Sequence, residues 1–415
     1  MHIEIDRQRI AQEIDTLATF SDVEPPAVTR IVFSEQDLRA RSWFKERCVA
    51  AGLSVREDAV GNTFARWESS RSDLPAVAVG SHIDAIPYAG KFDGVVGVLG
   101  GLEAIRSLQS SGFRPVRSIE LIQFTSEEPT RFGVGCIGSR LLSGALSTTV
   151  DETLCDDRGD SLKTVRTRAG FNGDLADVRL PEGFYSGFLE LHIEQGPNLE
   201  RENITIGIVT SIAAPASFRV TLEGQGGHAG GTLMPGRHDA LCAAAELILA
   251  IERFACSSGA VDTVATVGMC DVHPGAINSI PSRVKLSVDL RDTDGDRRDR
   301  ILGQIKNAVE EIELRRRIRI QTTMLNADPP ASSSPRILSA ITGACDEMKV
   351  ASRQIVSRAY HDSLFMSRIA PMAMIFIPCR DGISHRPDEY AATGDIAAGV
   401  EVVARSLAEL SCDPA

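Results

Sequence analysis

The stretch that most constrains this chain runs from Val77 to Gly97, reading Val-Ala-Val-Gly-Ser-His82-Ile-Asp84-Ala-Ile-Pro87-Tyr-Ala-Gly90-Lys-Phe-Asp93-Gly94-Val-Val-Gly97. An apolar run with period-two character leads into His82, the pattern of a buried strand ending at a polar edge. Pro87 and Gly90 interrupt that pattern and predict a turn, and the small-residue segment from Gly94 through Leu108 carries helical periodicity. His82 and Asp93 are therefore expected at the carboxyl end of a strand and the amino end of a helix, where open α/β sheets bind ligands. An imidazole with carboxylates at such an edge suits a divalent cation. The same residues would also serve as a hydrogen-bonded histidine and a capping aspartate in an ordinary loop.

Polar residues end other apolar runs in the same way. The strand expected over Ser118 to Thr125 runs into Ser126-Glu127-Glu128-Pro129. Two adjacent carboxylates buried at a strand end need a cation or a shared proton. A solvated acidic loop is the alternative, and the strongly apolar strand ahead of the pair favours the functional one. In Phe188-Leu-Glu-Leu-His192-Ile-Glu-Gln195-Gly-Pro197 a histidine again interrupts an apolar run, and Met372 to Ile377 is followed by a polar loop holding His385. A lone histidine of this kind is more often a satisfied core residue. Recurrence at several strand ends of one sheet favours a converging metal site. Ser81, beside His82, reads as structural rather than nucleophilic.

With 415 residues, 43% of them hydrophobic, the chain can build cores for two domains. Gln36 to Ala51 predicts a helix, and Arg56 to Trp67 a hairpin turning at Gly61-Asn62. The polar segment Asp151 to Arg168 reads as an insertion. From Ser217 the pattern changes: strands at Phe218–Glu223, Val261–Met269, Arg283–Arg291 and Arg319–Met324 are interleaved with helices at Arg237–Phe254 and Asp296–Glu313. That βαββαβ order is the split unit of a ferredoxin-like sheet. The expected class is thus α/β: a mixed-sheet three-layer catalytic domain from residues 1–213 and 329–415, with an inserted α+β ferredoxin-like domain at 214–328. The return segment predicts a helix at Pro335–Lys349, a strand at Gln354–Ser357 with the polar end Arg358-Ala-Tyr360-His361-Asp362-Ser363, and a closing helix at Asp395–Leu410.

Three stretches of the insert carry more than scaffold. Gly224-Gln-Gly-Gly227-His228-Ala-Gly230-Gly231 sets an imidazole in a glycine-rich turn, Asn278-Ser-Ile-Pro281 an amide before a rigid one, and Asp289-Leu-Arg291 a guanidinium at a strand end. In type these are an electrophile, a hydrogen-bond donor and a carboxylate clamp. His238 and His273 fit no such arrangement and read as structural or exposed, and Arg315-Arg316-Arg317 as a solvated helix end.

A net charge of -12 and a pI near 5.3 oppose binding to nucleic acid or anionic membranes, so an anionic substrate must meet a local cationic pocket. The nine cysteines include no Cys-x-x-Cys pair, which argues against a disulfide framework or a thiolate zinc site and for reduced, mostly buried thiols. The amino terminus lacks the apolar core of a secretory signal, and no run approaches the ~20 apolar residues of a membrane span. A cytoplasmic enzyme is expected.

In order and type, His82, Asp93, Glu127-Glu128, His192 and His385 resemble the metal site of the peptidase M20-like amidohydrolases. The resemblance covers nearly the whole chain and is to the hydantoinase/carbamoylase branch, through Gly80-Ser-His82-Ile-Asp84, Phe92-Asp93-Gly94, Leu191-His192-Ile-Glu-Gln195-Gly196-Pro197, Asn278-Ser-Ile-Pro281 and Ser384-His385-Arg-Pro387. It implies two divalent ions per subunit held by His82, Asp93, Glu128, His192 and His385, with Asp93 bridging, Asp84 orienting His82 and Glu127 as general base. Manganese is common in such families; N and O donors without thiolate also suit zinc, cobalt or nickel. The resemblance further implies substrate binding by Gln195, His228, Asn278, Arg291, Tyr360 and His361, with His228 also catalytic. The insert would then be a lid and dimerisation domain whose residues complete the partner's site in a homodimer. Carbamoylases and allantoate enzymes usually carry Gly-Ala-Gly-His-Asp where this chain has Arg358-Ala-Tyr360-His361-Asp362, and Glu-Glu-Gly where it has Glu127-Glu128-Pro129. Both departures are similar to the ureidoglycolate amidohydrolases, and Tyr360 would narrow the pocket and add a hydroxyl toward a small ureide anion. Gly227 also replaces the usual residue before the lid histidine. The expected reaction is hydrolysis of the ureido bond of (S)-ureidoglycolate. The alternatives are an N-carbamoyl-L-amino acid hydrolase, an allantoate amidohydrolase and a catalytically silent metal-binding protein.

Overall fold

A computed structural model describes residues 1–412. The chain divides into two compact units: Met1–Thr210 with Ser332–Ser357 and the chain from His361 onward, and Ser211–Ala331 with Arg358–Tyr360. The expected borders at 213/214 and 328/329 lie within a few residues of these, while Tyr360, expected with the carboxyl-terminal segment, groups with the second unit.

The elements that position the site are, in chain order, β1 (Ser54–Glu57), β2 (Thr63–Trp67), β3 (Ala76–His82), α1 (Val95–Ser110), β4 (Ile119–Phe124), β5 (Tyr185–Ile193) and β6 (Ile206–Ile212). The second unit then supplies β7 (Ala214–Glu223), α2 (Ala240–Cys256), β8 (Val264–His273), β9 (Arg283–Asp292), α3 (Gly295–Arg316) and β10 (Arg319–Ala327). β11 (Met372–Ile377) and α4 (Thr393–Cys412) return to the first.

In the first unit a nine-stranded sheet contains the run β6-β11-β5-β3-β4-β2-β1. Its four central strands are mutually parallel, and β6 and β2 flank them antiparallel. All residues of β3, β4 and β11 are buried, as strands covered on both faces must be. Alternation assigns the faces. Leu189, Leu191 and Ile193 of β5 join the core with Val96, Leu99 and Leu102 of α1 and Val400, Val403 and Leu407 of α4. Glu190 and His192 therefore point to the opposite face.

Most predicted elements lie within a few residues of their expected limits. The hairpin turns where expected because the Asp58 carboxylate accepts the backbone N–H groups of Val60 and Asn62. Ala85–Ala89, expected as a turn because of Pro87, is instead a short strand paired with Val28–Arg30. Proline is tolerated there because that sheet has two strands and therefore only edges. The polar segment near Asp151 is packed in place by Leu162 and Val165 and by the buried Arg166, whose guanidinium pairs with Asp151 at 2.7 Å. All nine cysteines are free, but only Cys48, Cys136, Cys345 and Cys379 are buried, so the expectation of mostly buried thiols fails. Cys242 and Cys256 end up exposed on the solvent side of α2 and Cys270 on β8.

The second unit is a four-stranded antiparallel sheet of order β8-β9-β7-β10, the ferredoxin-like arrangement. Val284, Leu286, Val288 and Leu290 alternate along β9 into a core with Leu247 and Ile251 of α2 and Ile301 and Ile305 of α3. α2 starts at Ala240 rather than Arg237 because the Asp239 side chain caps the N–H groups of Leu241 and Cys242. Among the described residues no helix is long and apolar enough to cross a membrane.

Leu102 of α1 is fully buried between sheet and helices. Leu102→Ala is expected to cost about 2–5 kcal/mol of stability, seen as a lower urea midpoint.

Candidate metal centre and active site

Because β4, β3, β5 and β11 run parallel, their carboxyl ends face the same way. His82 ends β3, Glu127 and Glu128 follow β4, His192 lies near the end of β5, and His385 follows β11. Asp93 arrives from the loop before α1. The cap of that helix, Gly94, has φ +65°, and a Cβ there would lie 2.5 Å from the His82 ring, so only glycine lets the loop pass this imidazole.

Asp93 uses its two oxygens separately. Oδ1 lies 3.4 Å from His82 Nε2 and 3.1 Å from His192 Nε2. Oδ2 lies 3.2 Å from His385 Nε2, which is 3.3 Å from Glu128 Oε1. Of three candidate donor sets among the described residues, His82-Asp93-His192 and Asp93-Glu128-His385 share Asp93, and the third is Glu190-His192-His361. The Nδ1 atoms of His82 and His192 lie 3.0 Å and 2.9 Å from the carbonyls of Asp84 and Ile193. A proton held on each Nδ1 leaves Nε2 as the donor atom.

Asp84, expected to orient His82, does so. Its carboxylate oxygen is 3.8 Å from His82 Nδ1, too far for a hydrogen bond, and its backbone carbonyl does this work instead. The Asp84 carboxylate accepts the backbone N–H groups of Glu127 at 3.3 Å and Glu128 at 3.1 Å, clamping the glutamate pair. Glu127 belongs to none of the three donor sets. Its Oε2 is 3.6 Å from His82 Nε2, and Oε1 is 3.5 Å from the Cys136 thiol.

Burial pushes the Glu127 carboxyl well above the usual range, and Glu128, Asp362 and Asp93 add to this against the pull of His82. Glu128 is pushed up to about 7 by burial and by Asp93. Asp93, against its burial, is held well below the usual range by His192, His385 and His82. Burial opposes charge on His82, yet Glu127, Asp93 and Asp84 outweigh it and raise its pKa well above normal. His385 rises to about 9, chiefly through its bond to Asp93. The buried carboxylates thus favour protons on these imidazoles. Those protons sit where a divalent ion would replace them, and the donor set of imidazole nitrogens and carboxylate oxygens fits such an ion.

Gln195, at φ +55°, donates from Nε2 to Asp93 Oδ2 at 2.7 Å, while its Oε1 is buried without a hydrogen-bond partner. His361 is buried rather than open to a ligand: its ring packs edge-on against His192, its Nε2 is 3.0 Å from Ser357 Oγ, and burial holds it neutral. Beneath it Glu190 accepts from Ser81 Oγ at 2.8 Å and Ser363 Oγ at 2.6 Å, which makes Ser81 structural.

The other predicted substrate residues lie in the second unit. His228 and Asn278 are brought together, His228 pairing with Ser279 and Ala229 N–H donating to the Asn278 carbonyl at 2.8 Å. Both are exposed. Arg291 forms a two-pronged pair with Asp289 and also donates to the Arg358 carbonyl at 2.6 Å. The Tyr360 hydroxyl, expected to face substrate, donates to Asp328 at 2.9 Å and accepts from Asn326 at 3.0 Å, so its one proton is committed within its own unit.

Sequence reasoning missed Ser384, Glu389, Ser139 and Asp362. Ser384 and Glu389 hold the Asp93 loop, and Ser139 donates to the buried Asp362 at 2.5 Å. Ser384 and Asp362 each adjoin a histidine already singled out, which was the available signal.

Residues 78–409 match the model of peptidase family M20/M25/M40. The chain is 50% identical over 418 residues to a ureidoglycolate hydrolase of Arabidopsis thaliana, covering 99% of this chain and 88% of that protein. A crystal structure of AtUAH in complex with glyoxylate superposes with a TM-score of 0.88 at 50% identity, covering 99% of both chains. An amidase of the hydantoinase/carbamoylase family from Burkholderia multivorans superposes with a TM-score of 0.90 at 33% identity, covering 100% of both.

The donor geometry makes a prediction independent of substrate. Mn2+ at about a hundredfold over its Kd should stabilise the protein by ~2.7 kcal/mol, read as a rise in Tm, and Asp93→Asn should remove most of that rise by putting a non-ligating NH2 in place of one oxygen and removing the negative charge both sets share. An Asp93→Asn protein that Mn2+ stabilises as strongly as wild type would refute the shared-donor arrangement.

Proposed function

The chain belongs to peptidase family M20/M25/M40, and from that premise we propose that it is a metal-dependent amidohydrolase acting on (S)-ureidoglycolate, which with one water yields glyoxylate, two molecules of ammonia and carbon dioxide. One observation carries the chemistry. Glu127 is a buried carboxylate held beside two cation-donor sets yet part of neither, which is the position of a general base. Two divalent ions, manganese above zinc, cobalt or nickel, would supply Lewis acidity toward water and the ureido carbonyl.

Glu127 takes the proton of the attacking water at the oxygen facing His82 and returns it to the leaving nitrogen as the C–N bond breaks. The Asp84 carboxylate fixes the backbone that carries the Glu127 side chain. Gln195 Oε1, buried and unpartnered, is an acceptor suited to a ureido N–H. Binding of the substrate carboxylate falls to Arg291, with His228 and Asn278 completing the polar set and His228 stabilising the oxyanion. A homodimer in which one protomer's lid residues serve its partner's site, working in the cytoplasm, belongs to the same proposal; nine unpaired cysteines support a reducing compartment.

For the substrate, support comes from the 50% identity to a ureidoglycolate hydrolase over nearly the whole chain, against 33% to the hydantoinase/carbamoylase amidase. The Tyr360 hydroxyl lends none, being already paired. N-carbamoyl-L-amino acid and allantoate hydrolysis would use the same machinery, whereas a silent metal-binding protein has no need of Glu127.

Ammonia release from manganese-loaded protein, offered (S)-ureidoglycolate, allantoate and N-carbamoyl-L-amino acids in parallel, should favour ureidoglycolate; preference for either of the others would reject that substrate. Glu127→Gln should lower kcat by about 10²–10⁴-fold while Mn2+ binding, followed by calorimetry, persists. Undiminished turnover would remove Glu127 from the base role.

A further inference from the structure

We propose that Glu389, acting with Ser384, is a positioning residue that locks the shared carboxylate Asp93 between the two donor sets, and so determines whether the centre holds its ions as a pair. Glu389 is almost fully buried although it lies in a polar loop. Its Oε1 accepts the backbone N–H groups of Phe92 at 2.9 Å and Asp93 at 3.1 Å. Its Oε2 lies 2.8 Å from Ser384 Oγ, which is itself 2.8 Å from Asp93 Oδ2. One carboxylate therefore grips Asp93 directly at its backbone, and shares with the Asp93 side chain the single proton of the Ser384 hydroxyl.

The approach is built into the chain. A Cβ on Gly90 would come within 2.4–2.6 Å of the Glu389 side chain, so glycine at that position makes the room the carboxylate occupies. The contact also joins two loops almost 300 residues apart in sequence. The Asp93 loop enters both donor sets, and the loop from Ser384 to Glu389 carries His385 into one of them. Rotation of Asp93 about its side-chain bonds would improve one set at the expense of the other, and the grip from Glu389 opposes that rotation. Partners of metal-ligating carboxylates act in this way, and their loss typically weakens metal affinity by about 10–100-fold.

The inference rests on Asp93 being a shared donor and on nothing about the substrate. Mn2+ alone is the probe, titrated by calorimetry into the full-length protein and followed by electron paramagnetic resonance, where spin coupling between neighbouring ions alters the Mn2+ signal. Glu389→Ala should weaken Mn2+ binding by about 10–100-fold and lose the coupled signal. Glu389→Gln should restore both to near wild type, because its amide oxygen accepts the same two N–H groups and its NH2 donates to Ser384, whose proton then goes to Asp93. If Glu389→Ala does not fold, Ser384→Ala takes its place, with a smaller loss of affinity in the same direction. Wild-type affinity and coupling in the alanine variant measured would overturn the proposal, as would failure of Glu389→Gln to rescue. Wild-type protein that binds no Mn2+ would overturn it together with the metal reading, while a wrong substrate would leave it standing.

Discussion

A single buried carboxylate organises this protein. Asp93 presents one oxygen to His82 at 3.4 Å and His192 at 3.1 Å and the other to His385 at 3.2 Å, and its own burial strengthens the electrostatics of these contacts. An isolated carboxylate in that place would take up a proton; three imidazoles keep it ionised. The parallel strands bring those imidazoles to one edge, and the glycine after Asp93 lets its loop reach them.

Concentrating carboxylates creates repulsion as well as binding capacity. Asp84, Glu127 and Glu128 all sit near His82 with their pKa values raised by burial. The same crowding that makes Glu127 reluctant to ionise makes it a willing proton acceptor when a cation offsets its neighbours. The two adjacent glutamates face different partners, Glu127 lying 3.6 Å from His82 and Glu128 3.3 Å from His385. Asp84 fixes both at once through their N–H groups, so the base and the ligand share one support.

Periodicity made most of the fold legible. Apolar runs ending in histidine or paired glutamate marked the strands, and the βαββαβ order marked the second unit, because alternation and helical spacing are local properties. Ala85–Ala89 escaped because Pro87 weighs against a strand, while its pairing with Val28–Arg30 depends on chain far away. The site residues were legible by type and order. Their detailed tasks were less so: Asp84 turned out to hold the glutamate backbone, Tyr360 to be paired with Asp328 and Asn326, and His361 to be walled in against His192.

By itself the sequence determined the strands that carry the donors, where their polar ends fall, and that the donors are imidazoles and carboxylates without thiolates. These follow from side-chain chemistry and spacing along one segment. Tertiary structure alone decided that Asp93 divides its oxygens between two donor sets, that Glu127 stands outside both, and that Glu389 closes on the Asp93 backbone from the far end of the chain. Those outcomes depend on distances of about 3 Å between segments remote in sequence, where hydrogen bonding and burial act through space and leave no local pattern to read.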